Sequence, residues 1–397
     1  MTSLANKAEN RLKNIARNLK GDKVIWLIIV CFAMISLLVV YSSTSALAYR
    51  YDESPFGYMA EQFLFYIIGF SILLICYRIN LGWYRKLTYL IFGASIILLL
   101  IPLATGELRS FRLGPINIQP SEIAKIAVVL FLARVLETSK LNTFKEYVLK
   151  ILVPLGIILV LCLIGSVSVT LIITAVAGTI LLTSNINKKF ILYTIPIVIV
   201  LLGLMIGVHK ATGFFSRFDT FEARIERFMS SDKEESMTPA EIQEKKDKDF
   251  QAQNAIEAIQ LGKITGRGPG NSLKRDILPN AYDDYIYSII VEEYGLIGGF
   301  IVIWLYLWFF VRCIRIAQLC KKDYSTIVVL GLALLIVLQA FLHILVNIGI
   351  FPVTGQTLPM ISKGGSSLVI MSIAFGIILA VNRTIEISNT KNTIEKK

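Results

Sequence analysis

Gly364-Gly-Ser-Ser367 opens an apolar run with backbone N–H groups and hydroxyls at what would be the positive end of a helix. That arrangement suits a phosphate, and Lys363, Ser366 and Ser367 are the side chains that would hold it. The alternative is a Gly/Pro-rich turn packed against its neighbours. A second anion binder is Lys125, in Gln119-Pro-Ser-Glu-Ile-Ala-Lys125, a segment preceded by Arg109-Ser-Phe-Arg-Leu-Gly114. Pro120 sits where a helix begins, and Glu122 falls in the first turn, where the dipole favours a carboxylate. Glu122 and Lys125 are spaced to pair at i, i+3, which is also how a capped helix start would look. Lys125 nevertheless lies one turn into an apolar run, where an ammonium is costly unless it faces a polar cavity.

Acidic residues gather in a third segment, Leu278-Pro-Asn-Ala-Tyr-Asp-Asp-Tyr-Ile-Tyr-Ser288 followed by Val291-Glu-Glu-Tyr-Gly-Leu-Ile-Gly298. On a helix starting there, Asp284, Ser288 and Glu292 recur at i, i+4 and i+8, with Asp283 about 100° away. N-capping would account for one aspartate. It leaves Glu292 and Glu293 about two turns inside the run, needing an Arg or Lys from another helix or a wet cavity. His343 and Asn347 precede Phe351-Pro-Val-Thr-Gly-Gln-Thr-Leu-Pro-Met-Ile-Ser-Lys363. His343 reads as a hydrogen-bonded core residue, since no second His or Cys stands in register for a metal.

The elements that must position these groups are membrane helices. Of 397 residues 55% are hydrophobic and 17% charged, which excludes a disordered chain and argues against a soluble globular enzyme. Runs of the length a bilayer requires fall near 24–47, 60–77, 87–104, 120–136, 148–164, 168–184, 190–208, 285–311, 325–349 and 366–382. The expected fold is an all-α polytopic membrane protein of about ten transmembrane helices with one large extracytoplasmic loop. Its parts are a basic arm 1–23, helices one to seven in 24–209, the loop 210–284, helices eight to ten in 285–382 and a tail 383–397. The first run is too long for a signal peptide, lacks a cleavage site, and is followed by nine more.

Lys and Arg set the orientation. The arm carries Lys7, Arg11, Lys13, Arg17, Lys20 and Lys23, and alternate connections on the same side carry Arg85, Lys86, Lys188, Lys189, Arg312 and Lys321. Both termini are therefore placed in the cytoplasm. The loop 210–284 holds twelve basic and fourteen acidic residues, leaving +14 of the net +12 elsewhere, mostly at cytoplasmic rims. That excess is a topology and headgroup signal, and nucleic acid is not implied. Gly262 to Ser272 does not satisfy the P-loop pattern and follows no strand. The five cysteines show no metal or disulfide spacing and read as packed thiols.

At these residues the chain resembles the SEDS family (shape, elongation, division and sporulation), which includes FtsW, RodA and SpoVE. The likeness rests on Gln119-Pro-Ser-Glu122 with Lys125, Phe250-Gln251, Gly266-Arg-Gly-Pro-Gly-Asn-Ser272, Leu278 to Gly298, Pro352-Val-Thr-Gly355 and Leu358-Pro-Met-Ile-Ser-Lys-Gly-Gly-Ser-Ser367, in order along nearly the whole chain. The resemblance implies a peptidoglycan glycosyltransferase that polymerises lipid II at the outer face of the bacterial cytoplasmic membrane. It implies a class B penicillin-binding protein as partner, other divisome or elongasome proteins around it, and an undecaprenyl-diphosphate-linked glycan as product. The family's essential aspartate falls on Asp284, a natural general base for the attacking sugar hydroxyl. Displacement would invert the anomeric centre. Lys125, Lys363, Arg109, Arg224 and Arg227 would neutralise the leaving diphosphate. Glu122, Gln251, Ser272, Ser366 and Ser367 would join in binding, with Asp283, Ser288, Glu292, Glu293, His343 and Asn347 in support. No cofactor is required by the motifs. A divalent cation, magnesium or manganese, is left open on the diphosphate without a ligand cluster to hold it.

Departures from the pattern are Arg109-Ser110 for Arg-Trp, Gly165-Ser-Val-Ser-Val169 for P-D-x-G-T, Tyr282 for a frequent histidine, His343 for asparagine, and Lys363 for an aromatic residue. An FtsW-like division role is favoured over elongation by the basic arm and compact loops. The competing readings are a transporter that flips a lipid-linked precursor and a non-catalytic scaffold that recruits a synthase.

Overall fold

A computed structural model describes residues 21–50, 52, 54–105, 110–113, 116–212, 239–278 and 280–394. Every apolar run expected to span is helical. The first is α1 (Lys23–Ser43), extended by the short α2 (Ser45–Arg50). Then come α3 (Pro55–Arg78), α4 (Leu81–Thr105), a hairpin of β1 (Phe111–Leu113) and β2 (Ile116–Ile118), and α5 (Pro120–Thr138). The next run is α6 (Phe144–Tyr147) continuing through a π turn (Val148–Leu152) into α7 (Val153–Gly165). It is followed by α8 (Val167–Thr183), α9 (Lys188–Thr212) and α10 (Pro239–Gly262). The chain closes with α11 (Ile286–Gln318), α12 (Asp323–Asn347) and α13 (Gly365–Ile394). Seven of these runs are long and apolar enough to cross a membrane by length and composition. α5, α8 and α9 fill the other expected positions. The chain is a multi-pass membrane protein.

Local chemistry sets the helix starts. Asp22 caps α1, accepting from Val24 N at 2.8 Å and Ile25 N at 3.2 Å. Ser54 caps α3 ahead of Pro55, and Thr143 with Glu146 closes a capping box on α6. The π turn stands immediately before Pro154, which has no N–H to give; a shift to i→i+5 bonding, Val153 N to Val148 O, accommodates it.

The core lies around α5, α12 and α13. Along α5 every residue from Ala124 to Ala133 is buried, whereas α3 and α4 expose Phe63, Leu64, Ile67, Leu90 and Ile97, as a lipid-facing surface would. α3 lies against α13 at contact distance: a Cβ on Gly376 would meet the Leu73 carbonyl oxygen at 2.8 Å. One end of the bundle carries the hairpin, α10 and the segment 348–364; it is called the loop end below. The opposite end is tied by the Arg312–Asp22 pair and by Glu137, which accepts from Arg85 at 2.6 Å and Arg134 at 2.9 Å.

Candidate active site

The aspartates sit in a turn. Sequence reasoning placed Asp284 on a helix in line with Ser288 and Glu292, with N-capping as one role, but α11 begins at Ile286 and its cap is Tyr285, whose side chain makes no capping bond. Asn280 adopts φ 56°, a conformation asparagine tolerates, and its carbonyl accepts from Asp283 N and Asp284 N, both at 3.0 Å. The chain therefore turns before the helix starts. Three further bonds fix it from outside. Lys363 N donates to Tyr282 O at 3.0 Å, Ser362 Oγ to Asp283 O at 2.9 Å, and Asn347 Nδ2 to Asp284 O at 3.0 Å. Three consecutive carbonyls are thus held by two other elements. Asn347 also accepts from Ser288 N at 3.1 Å and Ser288 Oγ at 2.9 Å, so it joins the turn to the first turn of α11. Asp283 and Asp284 are each half-buried.

The segment 348–364 that supplies two of these bonds runs into the bundle. Irregular backbone at that depth requires partners from protein, since lipid offers none. It has them: Ser36 Oγ donates to Ile361 O at 2.7 Å, Gln62 Nε2 to Ser362 O at 3.3 Å, Tyr66 to Met360 O and Tyr306 to Pro359 O. Ser362 Oγ closes the turn by accepting from Leu358 N at 2.8 Å. His343, 1% exposed, donates through Nδ1 to Gln356 O at 2.7 Å, the core role expected of it. None of Ser36, Gln62, Tyr66, Tyr306 or Ser362 was singled out from the sequence. A glutamine in the middle of an apolar run, as at Gln62 and Gln339, was the available signal.

Beneath that segment lies a closed polar ring. Lys125 Nζ donates to Glu122 Oε1 at 2.6 Å and to Gln339 Oε1 at 2.5 Å. Gln339 Nε2 donates to Thr357 O at 3.1 Å, Thr357 and Ser367 hydroxyls meet at 3.0 Å, and Ser367 Oγ donates to Glu122 Oε2 at 3.4 Å. Lys125, Glu122 and Gln339 are 1%, 3% and 0% exposed. The i, i+3 pair is present, sealed in the core.

Glu292 and Glu293, expected to need an Arg or Lys from another helix or a wet cavity, find their partners in the segment 272–275 and in Ser42. Glu292 accepts from the Ser272 hydroxyl and, through Oε1, from Leu273 N at 2.8 Å, so it organises the turn that ends the Gly-rich segment. Glu293 accepts from Ser42, and Arg275 Nη1 reaches the same Ser42 Oγ at 3.2 Å. The two glutamates are presented to this segment because α11 is not continuous. Gly295, at φ 71° and ψ −175°, breaks it. The groups freed at the break bond to the segment after α10. Arg267 N donates to Glu292 O at 2.9 Å, Gly268 N to Glu293 O at 3.0 Å, and Leu296 N to Lys263 O at 2.9 Å. Side chains at Gly262, Gly266 or Gly295 would overlap the facing carbonyls of Val291, Glu293 and Ile264.

Lys363 Nζ pairs with Glu61 Oε2 at 2.8 Å and lies 4.6 Å from the Tyr58 ring and 5.7 Å from the Tyr282 ring. α13 begins at Gly365, so Gly-Gly-Ser-Ser does open the last helix, with Ser366 half-buried. Gln251 lies half-buried on α10, and among the described residues no hydrogen bond joins it to the Asp284 turn. Arg109, Arg224, Arg227 and the basic arm 1–20 lie outside the described residues. The site as seen is thus the Asp284 turn, the buried segment 348–364, and the polar ring beneath it.

A family model of cell cycle proteins, covering FtsW, RodA and SpoVE, matches residues 22–387. The chain belongs to that family. Among the relatives of this FtsW/RodA/SpoVE member is a probable peptidoglycan glycosyltransferase FtsW from Nitrosomonas europaea, 30% identical over 364 residues, covering 88% of this chain and 89% of the relative. A protein of the same name from Haemophilus influenzae is 30% identical over 378 residues, covering 91% and 90%. Among solved structures, a chain from work on the coordination of polymerization and crosslinking by a peptidoglycan synthase complex superposes with a TM-score of 0.69 at 20% identity, covering 91% and 98%. The rod shape determining protein RodA of Thermus thermophilus superposes with a TM-score of 0.64 at 18% identity, covering 92% and 98%. These superpositions establish a shared fold.

Proposed function

We propose that this chain is a peptidoglycan glycosyltransferase that polymerises lipid II, with Asp284 as the general base. The class of enzyme is supported by relatives about as long as this chain that carry that name. The observation that carries the assignment of the base is the fixation of three successive carbonyls, Tyr282 to Asp284, by Lys363, Ser362 and Asn347. A base must be held within reach of the proton it takes, and this turn is held without using the aspartate carboxylate in those bonds.

In the transfer, the C4 hydroxyl oxygen of the acceptor sugar attacks the anomeric carbon of the donor. Its proton passes to Asp284, the bond from the anomeric carbon to the diphosphate oxygen breaks with its electron pair on that oxygen, and undecaprenyl diphosphate leaves. An α-linked donor becomes a β-linked glycan. Charge on the leaving diphosphate is met by Lys363 at the rim, with Arg109, Arg224 and Arg227 as further cations. Ser366 and the N–H groups opening α13 lie next to Lys363 in the chain. Lys125 and Glu122 act from beneath, holding Thr357 and Ser367 in place through the ring. Among the described residues no three His, Cys, Asp or Glu side chains gather to hold a metal. A magnesium or manganese ion on the diphosphate is left open.

The Lys and Arg distribution supports an orientation with both termini in the cytoplasm and the loop end outside the cytoplasmic membrane. A class B penicillin-binding protein is the partner this reading implies, within the division machinery that the relatives' FtsW names favour. The test is co-reconstitution with that partner in liposomes containing lipid II. The wild type should build glycan strands and Asp284→Asn should build none while melting at the wild-type temperature. Undiminished polymerisation by Asp284→Asn removes it as base; an inert wild-type complex removes the activity.

A further inference from the structure

We infer that Glu61, Tyr58 and Tyr282 form with Lys363 a cradle for the diphosphate of the lipid-linked substrate, in which Glu61 is a resting counter-ion that the diphosphate displaces. This rests on the polymerase reading and adds three residues to it.

Lys363 is anchored at its base and partly open to solvent at its tip. Its backbone N–H is bonded to Tyr282 O, two residues before Asp284, so the stem cannot withdraw from the Asp284 turn. Its ammonium lies over the Tyr58 ring at 4.6 Å and near the Tyr282 ring at 5.7 Å, within the range where ring faces attract a cation. The side chain is 16% exposed, and the carboxylate it pairs with, on Glu61, is 49% exposed. The rings and the backbone bond therefore hold the cation from the protein side, while Glu61 closes it from the solvent side. An ion pair that open to water is weak, and a diphosphate carries more charge than one carboxylate, with oxygens enough to occupy the remaining ammonium donors. Exchange of partners follows. Glu61 stands on α3 and Lys363 beside the start of α13, so the exchange also releases an ion pair that joins the first turns of α3 to the segment bonded to the Asp284 turn.

A purely structural brace predicts the opposite sign for the same variant, which makes the two separable. In liposomes with the penicillin-binding partner, Glu61→Gln should lower the KM for lipid II about threefold, a larger change than in kcat, because an exposed pair no longer competes. Lys363→Met should raise KM about tenfold, and Lys363→Arg should restore most of it. A second arm measures binding of undecaprenyl diphosphate to the unreacted complex, where Glu61→Gln should tighten it by the same factor and inorganic diphosphate should compete. Unchanged or raised KM in Glu61→Gln, or equal tightening toward phosphatidylglycerol vesicles, overturns the cradle. Should the wild type build no glycan, the polymerase reading fails while the binding arm still decides the cradle.

Discussion

Two polar assemblies meet at the buried segment 348–364, and they are built on opposite principles. In the ring of Glu122, Lys125, Gln339, Thr357 and Ser367, side chains satisfy side chains, and the charged members are nearly inaccessible. In the Asp284 turn, neighbouring elements satisfy the backbone, and both aspartates remain half-buried. A membrane interior makes ionisable residues costly in either place. The difference shows what the cost is offset by. The ring converts charge into packing that positions a loop, whereas the turn is fixed through its main chain by three bonds from other elements.

Crossing the two assemblies gives the sharpest separation. Asp284→Asn should lower polymerisation by about 10²–10⁴-fold, the usual range for losing an acid–base group, with thermal stability unaltered. Lys125→Met should do the reverse first: leaving Glu122 buried without its counter-charge costs about 3–5 kcal/mol, read as a large fall in melting temperature and yield. The double variant Glu122→Gln with Lys125→Met should recover much of that loss, which a catalytic lysine would not allow. Next in size is Gly295→Ala. It forces a side chain into a backbone region open mainly to glycine, about 1–3 kcal/mol before any overlap with the Ile264 carbonyl, and should raise hydrogen exchange at 263–268 together with 292–297. Asn347→Ala follows, at about 1–3 kcal/mol for unmade buried bonds, and it should loosen the turn enough to lower kcat more than it raises KM. Ser362→Ala should be mildest, about 1 kcal/mol, since two backbone bonds still hold the same turn.

Much of this was written in the chain. Each of the ten apolar runs coincides with helix among the described residues, seven of them long and apolar enough to cross a membrane, because burial in lipid leaves a long trace in composition. Glu122 and Lys125 revealed their pairing through i, i+3 spacing, a contact local enough to read directly. The turn around Asp284 was not legible, since Asn280 is one small residue and the bonds that hold the turn come from Asn347, Ser362 and Lys363, more than sixty positions away. The break at Gly295 hid for the same reason. A glycine in an apolar helix costs only about 1 kcal/mol, and the threading of residues 263–268 against Gly295 turns the site into a discontinuity. Glu292 misled by type: a buried carboxylate suggested a cation, yet the amide N–H groups of Leu273 and Lys274 serve it.

The stitching of residues 263–268 to both sides of Gly295 has a mechanical consequence. A continuous helix would transmit twist or tilt from the lipid-embedded part of α11 directly to the residues after Asp284. Here the segment after α10 is hydrogen-bonded to α11 on both sides of the break, to Glu292 and Glu293 before Gly295 and to Leu296 and Ile297 after it. The joint thus gives the loop end a second link to the helix that follows Asp284, made of main-chain hydrogen bonds and separate from the covalent chain.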